Sequence, residues 1–201
     1  MLTMKKRFYL LLTALFATAL LAGCGKPAAP KLEFKSMDIT GAAYAREFSL
    51  TDHTGQRRTL ADYKGKLVLM FFGYTQCPDV CPTTMADMAQ VMKEMGSDAD
   101  KVQVLFVTVD PERDTQKLLA EYVPAFDKRF VGLYGTLDET AKVAKEFKVY
   151  YAKVEGETDN SYTVDHTAGT YVFDREGKIR LFIRHGETPA AVAHDLKLLL
   201  S

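Results

Sequence analysis

Gly73-Tyr74-Thr75-Gln76-Cys77-Pro78-Asp79-Val80-Cys81-Pro82-Thr83-Thr84-Met85 directly follows the apolar run Leu67-Val68-Leu69-Met70-Phe71-Phe72. An apolar run bounded by a turn and followed by helical periodicity reads as strand, turn and helix, which points to an α/β fold. Two thiols four positions apart at such a turn admit three readings: a soft-metal site, a redox pair or a stabilising disulfide. Cys81 falls at or just before the first helical turn, where free backbone N–H groups and the helix dipole are expected to favour its thiolate. The spacer Pro78-Asp79-Val80 is one residue longer than that of the C-x-x-C oxidoreductase motif. A longer loop lets both sulfurs turn toward a common centre, so it is compatible with chelation without excluding a disulfide. Two thiolates suit Cu(I) or Zn(II) and leave at least one position for a further ligand.

Toward the N-terminus, Lys5-Lys6-Arg7, an apolar run from Phe8 to Leu21 and Leu21-Ala22-Gly23-Cys24 read as a secretory signal. Ending in Cys, the cleavage site resembles the lipobox of bacterial lipoproteins. Residues 1–23 are then a signal peptide, and Cys24 carries lipid that anchors the protein to a bacterial membrane on its periplasmic side. Residues 24–37, with Pro27, Pro30 and several lysines, read as a flexible tether. The folded domain follows as residues 38–201. Removing 23 of 201 residues leaves 178, which suits one domain. Those 178 lose three of 26 basic residues and none of 26 acidic ones, a formal charge of −3 that gives no support to nucleic-acid binding. With Cys24 assigned to lipid, Cys77 and Cys81 are the thiols left for chemistry, in a compartment where they are free to oxidise.

Around the thiol stretch, Glu47–Thr51 and Gln56–Leu60 flank a Gly-containing turn as a hairpin, and residues 66–72 form a buried strand. A helix over 82–95 ends at Gly96, and residues 101–110 form a second buried strand. Helices are expected over 115–123, capped by Asp114, and over 137–147, with a short strand at 130–134 between them. Residues 149–154 are extended, and 162–164 pair back across a polar loop. Residues 170–174 and 178–183 make a last hairpin, and an amphipathic helix over 189–200 closes the chain. This order fits a thioredoxin-like fold with an N-terminal β-hairpin extension and an inserted helix.

His166, in Thr163-Val164-Asp165-His166-Thr167-Ala168-Gly169, is the candidate third ligand. In that fold its loop lies beside the thiol turn, where oxidoreductases present a cis-proline; Ala168 and Gly169 stand there instead. Asp165 is a candidate to orient the imidazole, the alternative being a loop His that serves only hydrogen bonds. Met85, Met88, Met92 and Met95 repeat at helical spacing and read as core, Met85 being nearest the thiols. Asp110 and Asp114 bracket a loop after a buried strand and are weighed between structure and function. His53, His185 and His194 are read as solvated.

Tyr74-Thr75-Gln76-Cys77-Pro78-Asp79-Val80-Cys81-Pro82 together with Asp165-His166-Thr167 resembles the Sco/SenC family of copper-binding assembly factors. Asp38–Ala42, Phe48–Gly55 and Thr108-Val109-Asp110-Pro111-Glu112-Arg113-Asp114-Thr115 resemble further blocks of that family. The resemblance implies a membrane-anchored thioredoxin-like protein that binds one copper, Cu(I) or Cu(II), through Cys77, Cys81 and His166. It implies support for the dinuclear copper centre of cytochrome c oxidase, with subunit II or another copper-accepting protein as partner. A metallochaperone is thus expected in preference to an enzyme. The alternative is a thiol-disulfide oxidoreductase, with Cys77 and Cys81 as its redox-active pair, that keeps the recipient's cysteines reduced and itself draws on a thiol-disulfide reductant.

Overall fold

A computed structural model describes residues 32–158 and 161–201. The segment read above as signal peptide, the proposed lipid site Cys24 and the expected tether up to residue 31 lie outside the described residues. The compact unit treated below is Glu33–Ser201. Its strands and helices run β1 (Met37–Asp38), β2 (Ser49–Asp52), β3 (Arg57–Thr59), β4 (Leu67–Gly73), α1 (Val80–Met95), β5 (Val102–Thr108), α2 (Gln116–Tyr122), β6 (Val131–Tyr134), α3 (Leu137–Glu146), β7 (Tyr151–Glu155), β8 (Tyr162–His166), β9 (Gly169–Phe173), β10 (Ile179–Arg184) and α4 (Pro189–Leu200).

Among the described residues, eight strands form one sheet in the order β1-β10-β9-β4-β5-β6-β2-β3. β4, β5 and β6 run parallel, and β9 pairs antiparallel with β4. Every residue of β4 and β5 is buried. That is expected of central strands covered on both faces, and it explains why both read as unbroken apolar runs. The fold is α/β and thioredoxin-like. The hairpin β2–β3 extends the sheet beyond β6, and α2 with β6 lengthens the path from β5 to α3.

α1 buries Cys81, Thr84, Met85, Met88, Val91, Met92 and Met95, a stripe at spacings of three and four. The methionines therefore pack into the core. The helix begins two residues before Pro82, which places Cys81 inside its first turn, and stops at Gly96 with φ 57°. The caps of the other helices are hydroxyls: Thr115 accepts from the Leu118 N–H, Thr136 from that of Glu139 and Thr188 from that of Ala191. Thr115, not Asp114, thus caps α2.

One further expectation is corrected. Residues 33–37, drawn as the end of the tether, belong to the folded unit: Lys35 and Ser36 donate backbone N–H groups to the Asp195 carboxylate, and Met37 pairs with Phe182. As expected, the residues after α3 are extended and 162–164 pair back across the polar loop; this hairpin, β7–β8, pairs Tyr151 with His166 through Glu155 with Tyr162, and among the described residues it bonds to no strand of the main sheet. Among the described residues no helix is long and apolar enough to cross a membrane.

Candidate metal centre

The site lies where β4 ends and α1 begins. Gly73 closes β4 and accepts the Val109 N–H at 2.9 Å, which ties the strand end to the loop after β5. The chain then turns, with the Cys77 N–H donating to the Tyr74 carbonyl at 3.2 Å. Cys77 is half-buried, whereas Cys81 has no exposure at all. Both thiols are free, and the Cys81 N–H points at Cys77 Sγ from 3.4 Å. This is the helix N-terminal N–H expected to favour a thiolate, and it serves the partner sulfur.

Burial pushes the Cys81 thiol well above its ordinary range; a Tyr74 backbone bond pulls it down, while Cys77 and the charge of Asp114 push it further up. The expectation of a dipole-lowered Cys81 therefore fails: a desolvated sulfur favours its neutral form whatever the helix end offers. Gly73 makes that depth possible. A Cβ on Gly73 would stand 2.9 Å from Cys81 Sγ.

His166 arrives from the end of β8. Its Nε2 lies 3.6 Å from Cys81 Sγ, and its Nδ1 lies 3.0 Å from the Val164 carbonyl. A carbonyl only accepts, so Nδ1 carries the ring proton and Nε2 turns its lone pair toward the thiol, the tautomer needed for ligation. Tyr74 and Phe71 set their rings edge-on to the imidazole, at centroid distances of 5.7 and 6.2 Å. Asp165 does not orient the ring: it is exposed on the other face of the strand.

The three candidate ligands thus meet pairwise, Cys77 with Cys81 and Cys81 with His166. Among the described residues no three His, Cys, Asp or Glu side chains close into a metal cage. Their donor chemistry, two sulfurs and one imidazole nitrogen, fits a soft cation with few ligands such as Cu(I). Met85 is fully buried and belongs to the core-facing stripe of α1.

Asp114, weighed between structure and function in the sequence, completes the surroundings together with Thr75 and Thr108. Asp114 is buried and accepts from the Thr75 N–H at 3.0 Å, Thr75 Oγ1 at 2.6 Å and Thr108 Oγ1 at 2.6 Å. Burial raises its pKa, and these bonds offset the rise only in part. Its signal was present as an acidic residue closing a loop after a buried strand. The remaining histidines lie elsewhere. His53 Nδ1 accepts the Gly132 N–H at 2.9 Å, a structural role and not a solvated one. His185 is exposed beside Thr84, and His194 beside Asp195. A surface cavity of about 790 Å³ lined by Arg46, Arg57, Glu139 and Lys142 contains none of the candidate ligands.

A family model described as SCO1/SenC matches residues 37–201. The human mitochondrial protein SCO1 homolog is 38% identical over 198 residues, covering 94% of this chain and 66% of its own length. The chain therefore spans just under two thirds of that relative. Among solved structures, Bradyrhizobium japonicum ScoI with copper bound is 45% identical with a TM-score of 0.71, over 76% of this chain and 97% of that one. A SCO1/SenC family lipoprotein from Bacillus anthracis str. Ames is 25% identical with a TM-score of 0.64, over 77% and 94%.

Proposed function

The chain belongs to the SCO1/SenC family, and from that premise we propose that it is a membrane-anchored copper metallochaperone. It takes one copper ion as cargo through Cys77, Cys81 and His166. It supports assembly of the dinuclear copper centre of cytochrome c oxidase, with subunit II as the copper-accepting partner. The observation that carries this reading is the 3.6 Å approach of His166 Nε2 to Cys81 Sγ, with Nδ1 engaged by the Val164 carbonyl. A third soft-metal donor stands beside the thiol pair in the right tautomer, and a bare redox pair has no need of one. The copper-bound ScoI relative supports the choice of metal.

The chain's own residues divide the work. Cys77, half-exposed, is the sulfur an incoming ion meets first; Cys81 and His166 hold it deeper, where Phe71 and Tyr74 shield it from water. Each sulfur must give up its proton to bind, so uptake releases protons. A Cys77–Cys81 disulfide leaves no thiolate for the metal, so oxidation abolishes loading.

Anaerobic Cu(I) titration tests the reading. Cys77→Ala and Cys81→Ala each remove tight binding, and His166→Ala weakens it. If His166→Ala leaves Cu(I) and Cu(II) affinity and spectra unchanged, the three-ligand site is wrong. Turnover of a protein disulfide with copper chelated away would favour the oxidoreductase reading instead. We place the anchor at Cys24, as the lipobox suggests and the Bacillus anthracis lipoprotein supports. Cys24→Ser is expected to move the protein from the membrane to the soluble fraction; retention on membranes would refute lipidation there.

A further inference from the structure

β7–β8, the hairpin that ends in His166, is bonded strand to strand only within itself. Among the described residues no ladder bond of the main sheet holds β8, so beyond the short link from His166 to β9 it is side chains that brace the hairpin. One side of the hairpin is held by Val164, which is buried in the core. On the other side stands the loop between β5 and α2. Arg113 in that loop forms an ion pair through Nε with Asp110, whose side chain is 1% exposed. Arg113 Nη1 donates to the Tyr162 carbonyl at 2.9 Å, and the guanidinium carbon lies 3.5 Å from the Tyr162 ring centroid. The Tyr162 hydroxyl returns a bond to Asp110 at 2.9 Å, which closes a ring of three residues. A second ion pair, Lys153 with Glu112, links the same loop to the hairpin's other strand.

The loop also grips the thiol side. Arg113 Nη1 reaches Gln76 Oε1 at 3.4 Å, and the neighbouring Asp114 holds Thr75 through both its N–H and its hydroxyl. Residues 110–114 therefore touch the turn that carries Cys77 and the hairpin that carries His166. A planar guanidinium suits this place because it can pair with a carboxylate, donate to a carbonyl and stack on a ring at once, which an ammonium cannot do.

We propose that Arg113, fixed by Asp110 and stacked on Tyr162, is a positioning residue that sets His166 against Cys81 and so holds the third ligand in place. This inference rests on the three-ligand reading of the site. Its test is a double-mutant cycle on Cu(I) affinity with Arg113→Met and His166→Ala. Arg113→Met is expected to weaken Cu(I) binding about ten-fold in the otherwise unchanged protein, the low end of what loss of a ligand-orienting partner costs. In the His166→Ala background the same change is expected to cost less than about two-fold, because no imidazole remains to position. An equal loss in both backgrounds would reveal a general loosening of the fold and overturn the latch. So would no loss in either background while His166→Ala alone weakens binding, an outcome that leaves the three-ligand reading standing. If His166→Ala itself has no effect, that reading falls and the latch with it. Should Arg113→Met not fold, Tyr162→Phe deletes only the hydroxyl bond to Asp110. It enters the same cycle with an expected loss of about three-fold.

Discussion

The depth of Cys81 depends on a hydrogen atom. A methyl group in place of the Gly73 hydrogen would meet Cys81 Sγ at 2.9 Å, the Phe71 ring at 2.8 Å and the Phe106 ring at 3.0 Å. All three neighbours are fully buried, so none can retreat into solvent. Gly73→Ala is expected to lower stability by about 1–3 kcal/mol, the usual range for an overpacked core. It should also push the thiol away from His166. Urea unfolding and Cu(I) titration check both effects, and a variant with unchanged affinity would show that the thiol's position is not set by this contact. The need for glycine there was not legible in the sequence, because Cys81 and Phe106 are eight and 33 positions away. His166 was legible as a candidate ligand, but the partner that orients its ring was not. Strand alternation puts Val164 and His166 on one face and Asp165 on the other, so a backbone carbonyl takes the role expected of the carboxylate. The Cys81 thiol was misjudged for a related reason: the helix end is a local signal, whereas burial is made by distant residues.

Elements with a long period or a marked turn were read from the sequence within a few residues. β4, β5, the hairpins β2–β3 and β9–β10, and α1 all carry such signals in their own residues. β1 did not, since two residues have no period and their partners on β10 stand more than 140 positions away. Pro27, Pro30 and the lysines before it made the whole segment read as tether. What holds it is Asp195, buried in α4, which accepts the Lys35 and Ser36 N–H groups at 2.9 and 2.8 Å and touches His194 Nδ1 at 2.9 Å. Burial alone would raise the pKa of this carboxyl, but the bonds outweigh it and hold it below the usual range. Removing the acceptor strands two backbone donors. Asp195→Ala is therefore expected to cost roughly 2–3 kcal/mol and to speed amide exchange at residues 35–38 before that of β4. Exchange at those residues as slow as in the unaltered protein would mean that the β1–β10 pairing alone retains the strap. Asp114 belongs to the same lesson: either Asp114 or Thr115 could cap a helix, and the choice is decided by Thr75 and Thr108, which arrive from other elements.

At the scale of the molecule, its charged groups set how the fold responds to acid. Asp52 stands out, with its side chain 2% exposed. Burial pushes its pKa upward, yet bonds from the Thr54 hydroxyl and N–H, the Gln56 N–H and Arg58 outweigh burial and bring it from 3.8 down to about 2. A carboxyl whose folded pKa lies below its unfolded value contributes stability above the unfolded value and loses it as pH falls through the folded one. For Asp52 that contribution is about 2 kcal/mol, present in full near pH 6 and lost between 3.8 and about 2. Asp195 adds to the loss in the same direction. Asp114 opposes it: its raised pKa means that the fold takes up a proton there before the unfolded chain does, so stability gains slightly as pH drops toward the ordinary carboxylate range. The stability curve is thus expected to hold level or rise slightly from neutral pH toward pH 4 and to fall steeply below it. Asp52→Asn separates the contributions, since it keeps the side chain's shape and one acceptor but cannot ionise. Urea midpoints for the variant should lie below those of the parent at pH 6 by an amount equivalent to about 2 kcal/mol and converge on them at pH 2. Curves that stay parallel across that range would show that the Asp52 charge does not stabilise the hairpin β2–β3, and would move the acid sensitivity of the fold to Asp195 and the strap it holds.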